Sequence, residues 1–276
     1  DSALVYRGMD IGTAKPSRLV RERVPHHLID IADPLVAYSA GRFATDARAA
    51  AADIAARGRI PLLVGGTLLY QRALRGGLAD LPEADPELRR CIDAQAEASG
   101  WPALHARLAD LDPDAAAKIA PTDRQRIQRA LEVYELTGEV ISVHQRRGSR
   151  GDGSVRVTTL AIVVDDRAAL AQRIEQRFEA MLDAGFVAEV EALMVRGDLD
   201  PDLPAIRAVG YRQIWGYLSG DYDWAEARRR ALAATRQLAK RQMTWIRSEE
   251  NFGVLPWSNK QQLSTVRDWA RSAAGE

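Results

Sequence analysis

The sequence predicts an α/β fold: a parallel sheet in a core spanning 1–79 and 149–276, with an all-helical insertion over 80–148. Three observations carry that expectation. Ile60–Val64 is a short, continuous apolar run between a helical stretch and a glycine turn, the pattern of a buried parallel strand. Val155–Val164 is rich in β-branched residues and reads as a further strand leading into a long helix. Between them, Asp80 to about Gly148 carries helix signals and no credible strand.

The elements follow in order. Asp1–Tyr6 ends a strand or forms a short helix; the pattern leaves both open. Gly8–Pro16, GMDIGTAKP, is a loop marked by glycine and proline. Ser39 has the chemistry of an N-cap, and the alanine-rich stretch to Arg57 is a helix that Gly58 ends. Gly65-Gly66-Thr67 follows the apolar run, then a helical pattern over Leu68–Leu74. In the insertion, Pro82, Pro86, Pro102, Pro113 and Pro121 punctuate helices, with starts at Asp112-Pro113 and Thr122-Asp123. Arg146–Ser154 is a flexible basic loop. Asp165 or Asp166 caps a helix to near Gly185, a second runs to about Arg196, and Asp223–Ser248 is one long helix.

Composition narrows the function classes. Of 276 residues, 46% are hydrophobic, enough for a real core, and the formal net charge is zero. Bulk charge therefore does not announce a nucleic-acid partner, but its distribution is uneven. Ala205–Arg247 holds nine Lys or Arg against three acids, and Ala79–Ala115 holds nine acids against three Arg. Cys91 is the single cysteine, so no internal disulfide forms, which fits a reducing, cytoplasmic compartment. No apolar run approaches the roughly 18 residues of a membrane span. His26 and His27 have no matching ligand cluster.

Four stretches could carry chemistry, and each also has a plain structural reading. Asp1, beside the loop to Pro16, is a candidate general base or a turn cap. Gly65-Gly66-Thr67 opens backbone N–H groups to an anion before a helix, or is an ordinary tight turn. Gln125, Gln128 and Arg129 lie on a helix side away from Ile127, which joins Ala130, Leu131 and Tyr134 in a buried stripe; the polar side suits bases and phosphates, or simply solvent. At the C-terminal end Arg236, Lys240, Thr244 and Arg247 line one stripe suited to a phosphate backbone, while Tyr211 and Trp245 are candidates for base stacking, although a tryptophan in a long helix is more often core.

Together, DSALVYRGMDIGTAKP, LLVGGTLLY, DRQRIQRALEVYELTG, IRAVGYRQ and KRQMTWIR resemble, in that order, the bacterial tRNA dimethylallyltransferase (tRNA isopentenyltransferase) family, over Asp1 to about Pro256. The resemblance implies a P-loop-NTPase-like parallel-sheet core with a helical insertion gripping the tRNA anticodon stem. It implies transfer of a dimethylallyl group from dimethylallyl diphosphate to the exocyclic amine of the adenine 3′-adjacent to the anticodon, with Mg²⁺ on the diphosphate. In it Asp1 matches the catalytic aspartate and Thr67 the threonine that steadies the leaving group. Gly65, Gly66, Thr67 and Arg212 match diphosphate-side positions. The stretches matching tRNA contacts are Asp1, Ser2, Ala3 and Leu4; Thr67 and Arg89; Gln125, Arg126, Ile127, Gln128 and Arg129; Arg207, Ala208, Val209, Gly210, Tyr211 and Arg212; and Lys240, Arg241, Gln242, Met243, Thr244, Trp245, Ile246 and Arg247.

One departure stands out: no stretch matches G-x-x-x-x-G-K-[ST], where the family's main metal-side residue is expected. The expectation is that these residues alone are catalytically inactive or nearly so, as a monomer less stable than a chain carrying that loop. Competing readings are an isopentenyltransferase acting on free adenylate, a non-catalytic RNA-binding remnant, and an ordinary P-loop nucleotide kinase. The first would need neither the insertion, the Gln125–Arg129 stretch nor the Lys240–Arg247 stripe, and the last leaves the tRNA-like motifs unexplained.

Overall fold

Side-chain oxygens placed just before apolar-periodic segments set most helix starts in this protein. The computed structural model describes residues 2–76, 79, 81–147, 157–249, 251–257 and 262–274. Its helices are α1 (Arg18–Arg23), α2 (Ala40–Ala56), α3 (Leu68–Gly76), α4 (Pro86–Ser99), α5 (Trp101–Leu111), α6 (Pro113–Ala116), α7 (Arg124–Thr137), α8 (Ile141–Arg146), α9 (Arg167–Asp183), α10 (Phe186–Val195), α11 (Tyr211–Leu218), α12 (Trp224–Arg247) and α13 (Gln262–Ala274). Ser39 accepts Arg42 N–H at the start of α2, and Asp85 accepts Glu87 and Leu88 N–H at α4. Asp112, Asp123, Asp166 and Asp223 cap α6, α7, α9 and α12 in the same way. Each satisfies donors that a helix start otherwise leaves unpaired.

The chain divides into two compact units, 1–74 with 155–276, and 75–154. The division thus falls near 75 and 154, against the 80 and 148 expected from composition. The first unit builds its core from Val5, Met9, Phe43, Phe186, Val190, Ile206, Tyr211 and Ile214. It also holds a two-stranded parallel sheet, β1 (Thr159–Val163) with β2 (Phe252–Pro256), in register Thr159↔Phe252 to Val163↔Pro256. Ala161, Val163 and Phe252 pack with Leu68 and with Met243, Trp245 and Ile246 from the end of α12. The second unit, described by itself, is helical, with Ile92, Leu104, Leu108, Ile127, Leu131 and Val133 in its core. Its buried Asp112 is satisfied twice, by Ala115 N–H and by Ser142 N–H at 2.9 Å.

Two strand expectations are corrected. Ile60–Val64 is not a strand, and Ile60, Leu62 and Val64 are 57%, 66% and 72% exposed. Pro61 inside the run removes a ladder donor, and an all-apolar segment stays in a sheet only with partners beside it. The strand expected over Val155–Val164 is shorter, Thr159–Val163, and 148–156, with most of the expected basic loop, lies outside the described residues. Asp1–Tyr6 resolves differently from both alternatives: over the described residues it is a turn that ends in a single parallel bridge, Tyr6↔Ala32.

Candidate functional site

Three distant stretches meet at the glycine turn before α3. Ser2 N–H donates to Thr67 Oγ1 at 3.1 Å, and the Thr67 hydroxyl donates to Ser2 Oγ at 3.1 Å. From α12, Gln242 Nε2 donates to the Gly66 carbonyl at 3.0 Å, and Gln71 Nε2 holds the Gly65 carbonyl at 3.1 Å. A Cβ on Gly66 would sit 2.2 Å from Gln242 Nε2, so this contact requires glycine. The Thr67 carbonyl accepts Tyr70 and Gln71 N–H, which puts its hydroxyl at the α3 N-terminus, where partial positive charge favours an anion. Thr67 and Gly66 are half-buried and Gly65 is exposed. Ser2, Ala3 and Leu4 are half-buried; Asp1 lies outside the described residues.

The loop after Tyr6 is fixed by a carboxylate that sequence reasoning missed. Glu189 on α10 accepts Asp10, Ile11 and Gly12 N–H at 2.8, 2.7 and 3.1 Å. Tyr211 Oη donates to the same carboxylate. Tyr211 is completely buried, edge-on to Phe186 at 4.9 Å, and cannot stack on a base as expected. Burial pushes its phenol up, and its bond to Glu189 adds to that shift. Gly210, at φ +94°, and Ala208 and Val209 are buried or half-buried in the turn into α11, while Arg207 and Arg212 are exposed. Among the described residues the Arg212 guanidinium has no hydrogen bond or ion pair, and none joins it to Gly65–Thr67.

Along α12 the charge changes character. Arg228, Arg229 and Arg230 are neutralised by Glu175, Glu179 and Glu226. Arg236, Lys240, Arg241 and Arg247 are exposed and form no ion pair among the described residues. Thr244 is exposed and returns its hydroxyl to the Lys240 carbonyl. Met243, Trp245 and Ile246 are half-buried against the sheet, and Trp245 Nε1 donates to Glu249, so this tryptophan serves packing. If the stripe grips a polyanion, Lys240→Ala with Arg247→Ala weakens anticodon stem-loop binding. The slope of log affinity against log salt then falls by about 2, near one for each phosphate that is no longer neutralised. An unaltered slope, measured by fluorescence anisotropy, refutes that role.

In the helical unit the candidate residues are largely engaged. Gln125 and Arg126 are exposed, Arg126 lying 3.5 Å from Asp123. Gln128 Nε2 donates to Asp93 at 2.7 Å. Ile127 is wholly buried, so its side chain belongs to the core and not to a ligand surface. Arg89 and Arg129 both pair with Glu132, a buried carboxylate also missed from sequence. Burial pushes the Glu132 carboxyl up, but the bonds from Arg89, Arg129 and Asp85 N–H outweigh it and hold the group below its ordinary range. Its stabilisation is complete above the ordinary value of 4.5 and is lost as pH falls through the lowered one. Circular dichroism should show acid unfolding of the helical unit move to higher pH in Glu132→Gln; an unchanged acid midpoint contradicts this.

Among the described residues, no group of three or more His, Cys, Asp or Glu is placed to hold a metal ion. No described helix is long and apolar enough to cross a membrane. A parallel sheet in one unit, a hydroxyl pair at its glycine turn and a second, helical unit define the class as an α/β protein with a helical insertion. The family model for IPP transferase matches residues 4–249, and the chain belongs to that family. It is 59% identical to the tRNA dimethylallyltransferase of Thioalkalivibrio sulfidiphilus over all of this chain and 88% of that one. It is also 59% identical to the tRNA dimethylallyltransferase of Burkholderia lata over 90% of this chain and 78% of that one. Among solved structures it is similar to the tRNA isopentenylpyrophosphate transferase of Bacillus halodurans, with TM-score 0.67, 35% identity and coverage of 100% and 86%. A eukaryotic dimethylallyltransferase acting on tRNA matches with TM-score 0.77, 25% identity and coverage of 100% and 72%. The P-loop-like α/β class expected from sequence is the fold of these neighbours.

Proposed function

We propose that this chain transfers a dimethylallyl group from dimethylallyl diphosphate to the exocyclic amine of the adenine 3′-adjacent to the anticodon of tRNA, giving N6-isopentenyladenosine. The observation that carries the reading is the meeting of Ser2, Gly66, Thr67 and Gln242, which joins three of the five family-like stretches at one turn. In the reaction the allylic C–O bond breaks, diphosphate leaves with the electron pair, and a C–N bond forms to the amine. The amine proton passes to a carboxylate, assigned to Asp1, next in sequence to Ser2. Thr67, at the α3 N-terminus, turns its one hydroxyl proton from Ser2 Oγ to the leaving diphosphate while still accepting Ser2 N–H, with Gly65 and Gly66 letting the backbone approach and Arg212 adding positive charge. The helical unit and the α12 stripe bind the RNA, so that a base reaches the amine-accepting position unstacked. Mg²⁺ enters this proposal as an ion carried by the diphosphate; no step is routed through it. A monomer in the cytoplasm completes the proposal.

The test is mass spectrometry of an unmodified anticodon stem-loop, and of adenosine monophosphate, after incubation with dimethylallyl diphosphate and Mg²⁺. It is run with this chain and with a version extended by a G-x-x-x-x-G-K-[ST] loop segment, the pattern its sequence lacks. One dimethylallyl group on the stem-loop adenine supports the proposal. Modification of the free nucleotide alone favours the adenylate reading. Binding of the stem-loop with no modification by either version favours an RNA-binding remnant.

A further inference from the structure

One buried carboxylate organises two surface arginines of the helical unit. Glu132 on α7 is 0% exposed. Its Oε1 accepts Asp85 N–H at 2.9 Å and Arg89 Nε at 2.8 Å. Its Oε2 accepts Arg89 Nη2 at 3.0 Å and Arg129 Nη1 at 2.6 Å. Arg129 is fixed again by Nη2 donating to the Pro82 carbonyl at 2.7 Å. The arginine side chains nonetheless reach the surface, 39% and 26% exposed.

Two guanidiniums against one carboxylate leave the cluster net positive, on a unit whose 79–115 stretch holds nine acids and three arginines. The acceptor positions of the carboxylate are filled by Asp85 N–H, the Arg89 fork and Arg129 together, so one buried group holds both arginines at once. Arg89 Nη1 and Arg129 Nε remain open as donors among the described residues. A free arginine loses much rotamer freedom when it grips a phosphate, and one already held loses little.

We propose that Glu132 is a positioning residue that presets Arg89 and Arg129 as a rigid pair of cations for the phosphate backbone of an RNA. This deepens the RNA-binding part of the proposed function and rests on it.

Glu132→Gln separates positioning from charge by the sign of its effect. The substitution removes a negative charge, so attraction alone predicts tighter stem-loop binding. A positioning role predicts weaker binding, because the carboxamide presents an N–H₂ group to one guanidinium and releases it. We expect the dissociation constant for the stem-loop to rise about tenfold, as for removal of one charge-assisted hydrogen bond, and, in whichever version of the chain turns over, KM for the stem-loop to rise with it while kcat and KM for dimethylallyl diphosphate stay unchanged. Unchanged or tighter binding overturns the role. Should Glu132→Gln fail to fold, as judged by circular dichroism, the double variant Arg89→Lys/Arg129→Lys decides. It keeps Glu132 and both charges but loses the forked geometry, and wild-type affinity there overturns the proposal. If the unaltered chain binds no stem-loop at all, the RNA reading falls, and this role with it. Normal binding by the unaltered chain and by Glu132→Gln removes this role alone.

Discussion

Gly12→Ala should cost about 3 kcal/mol of stability, the upper part of the range for overpacking a filled core. An added Cβ would lie 2.2 Å from Phe186 Cε2 and 2.6 Å from Phe186 Cζ and Tyr211 Cε2. Those are ring atoms of side chains 1% and 0% exposed, so neither can swing into solvent. Nor can the loop retreat freely, because Asp10, Ile11 and Gly12 N–H are all committed to Glu189. Relief by loop movement breaks bonds to a carboxylate, and relief by ring movement opens the core around Val190 and Ile214. Gly41→Ala in α2 is the matched control, since an added Cβ there meets only Ser39 Oγ, the cap of its own helix, at 3.8 Å. There the change should be neutral or slightly stabilising. Urea midpoints for the two variants measure the contrast, and equal midpoints would show that the loop is not packed as described.

Thr67→Val should leave the fold intact and reduce turnover on the order of a hundredfold, as for removal of one preorganised donor to developing anionic charge. Valine keeps the shape of threonine and its place before α3. What disappears is the hydroxyl that accepts Ser2 N–H and donates to Ser2 Oγ. Two consequences follow on the proposed reading. The diphosphate loses a donor at the α3 N-terminus, and Ser2 N–H loses the acceptor that ties it to the turn. Thr67→Ser separates them from mere packing, because it keeps the hydroxyl while losing a methyl group. It should retain most of the rate.

Which of these features could be read in advance follows from the range of the interactions involved. Ser39 and Asp223 announce helix starts because a cap acts within three residues, and both stand where expected, while of the pair Asp165 and Asp166 the structure selects Asp166. The glycine turn at 65–67 was legible for the same reason. Ile60–Val64 looked like a strand because apolar runs signal burial, but burial depends on partners elsewhere in the chain, and Pro61 was the local sign against it. Tyr211 looked available for stacking because nothing near it in sequence shows Glu189, which lies 22 residues away and receives its hydroxyl. Glu132 was hidden in the same way. Arg129 in α7 is a partner within local reach, but the burial shows only with Asp85 and Arg89, 47 and 43 residues earlier, which close over the same carboxylate. Ile127 shows the opposite limit: the helical stripe predicted its burial, while the resemblance placed it in a tRNA-contacting stretch. The structure sides with the stripe.

The most direct test of the proposed centre is the single-turnover rate on the anticodon stem-loop at saturating dimethylallyl diphosphate, with Thr67→Val beside the unaltered sequence in the version that turns over. The expected result is a chemical step slowed on the order of a hundredfold with stem-loop affinity nearly unchanged. An equal rate in both would contradict it, because the turn where Ser2, Gly66, Thr67 and Gln242 meet would then not be the reacting centre.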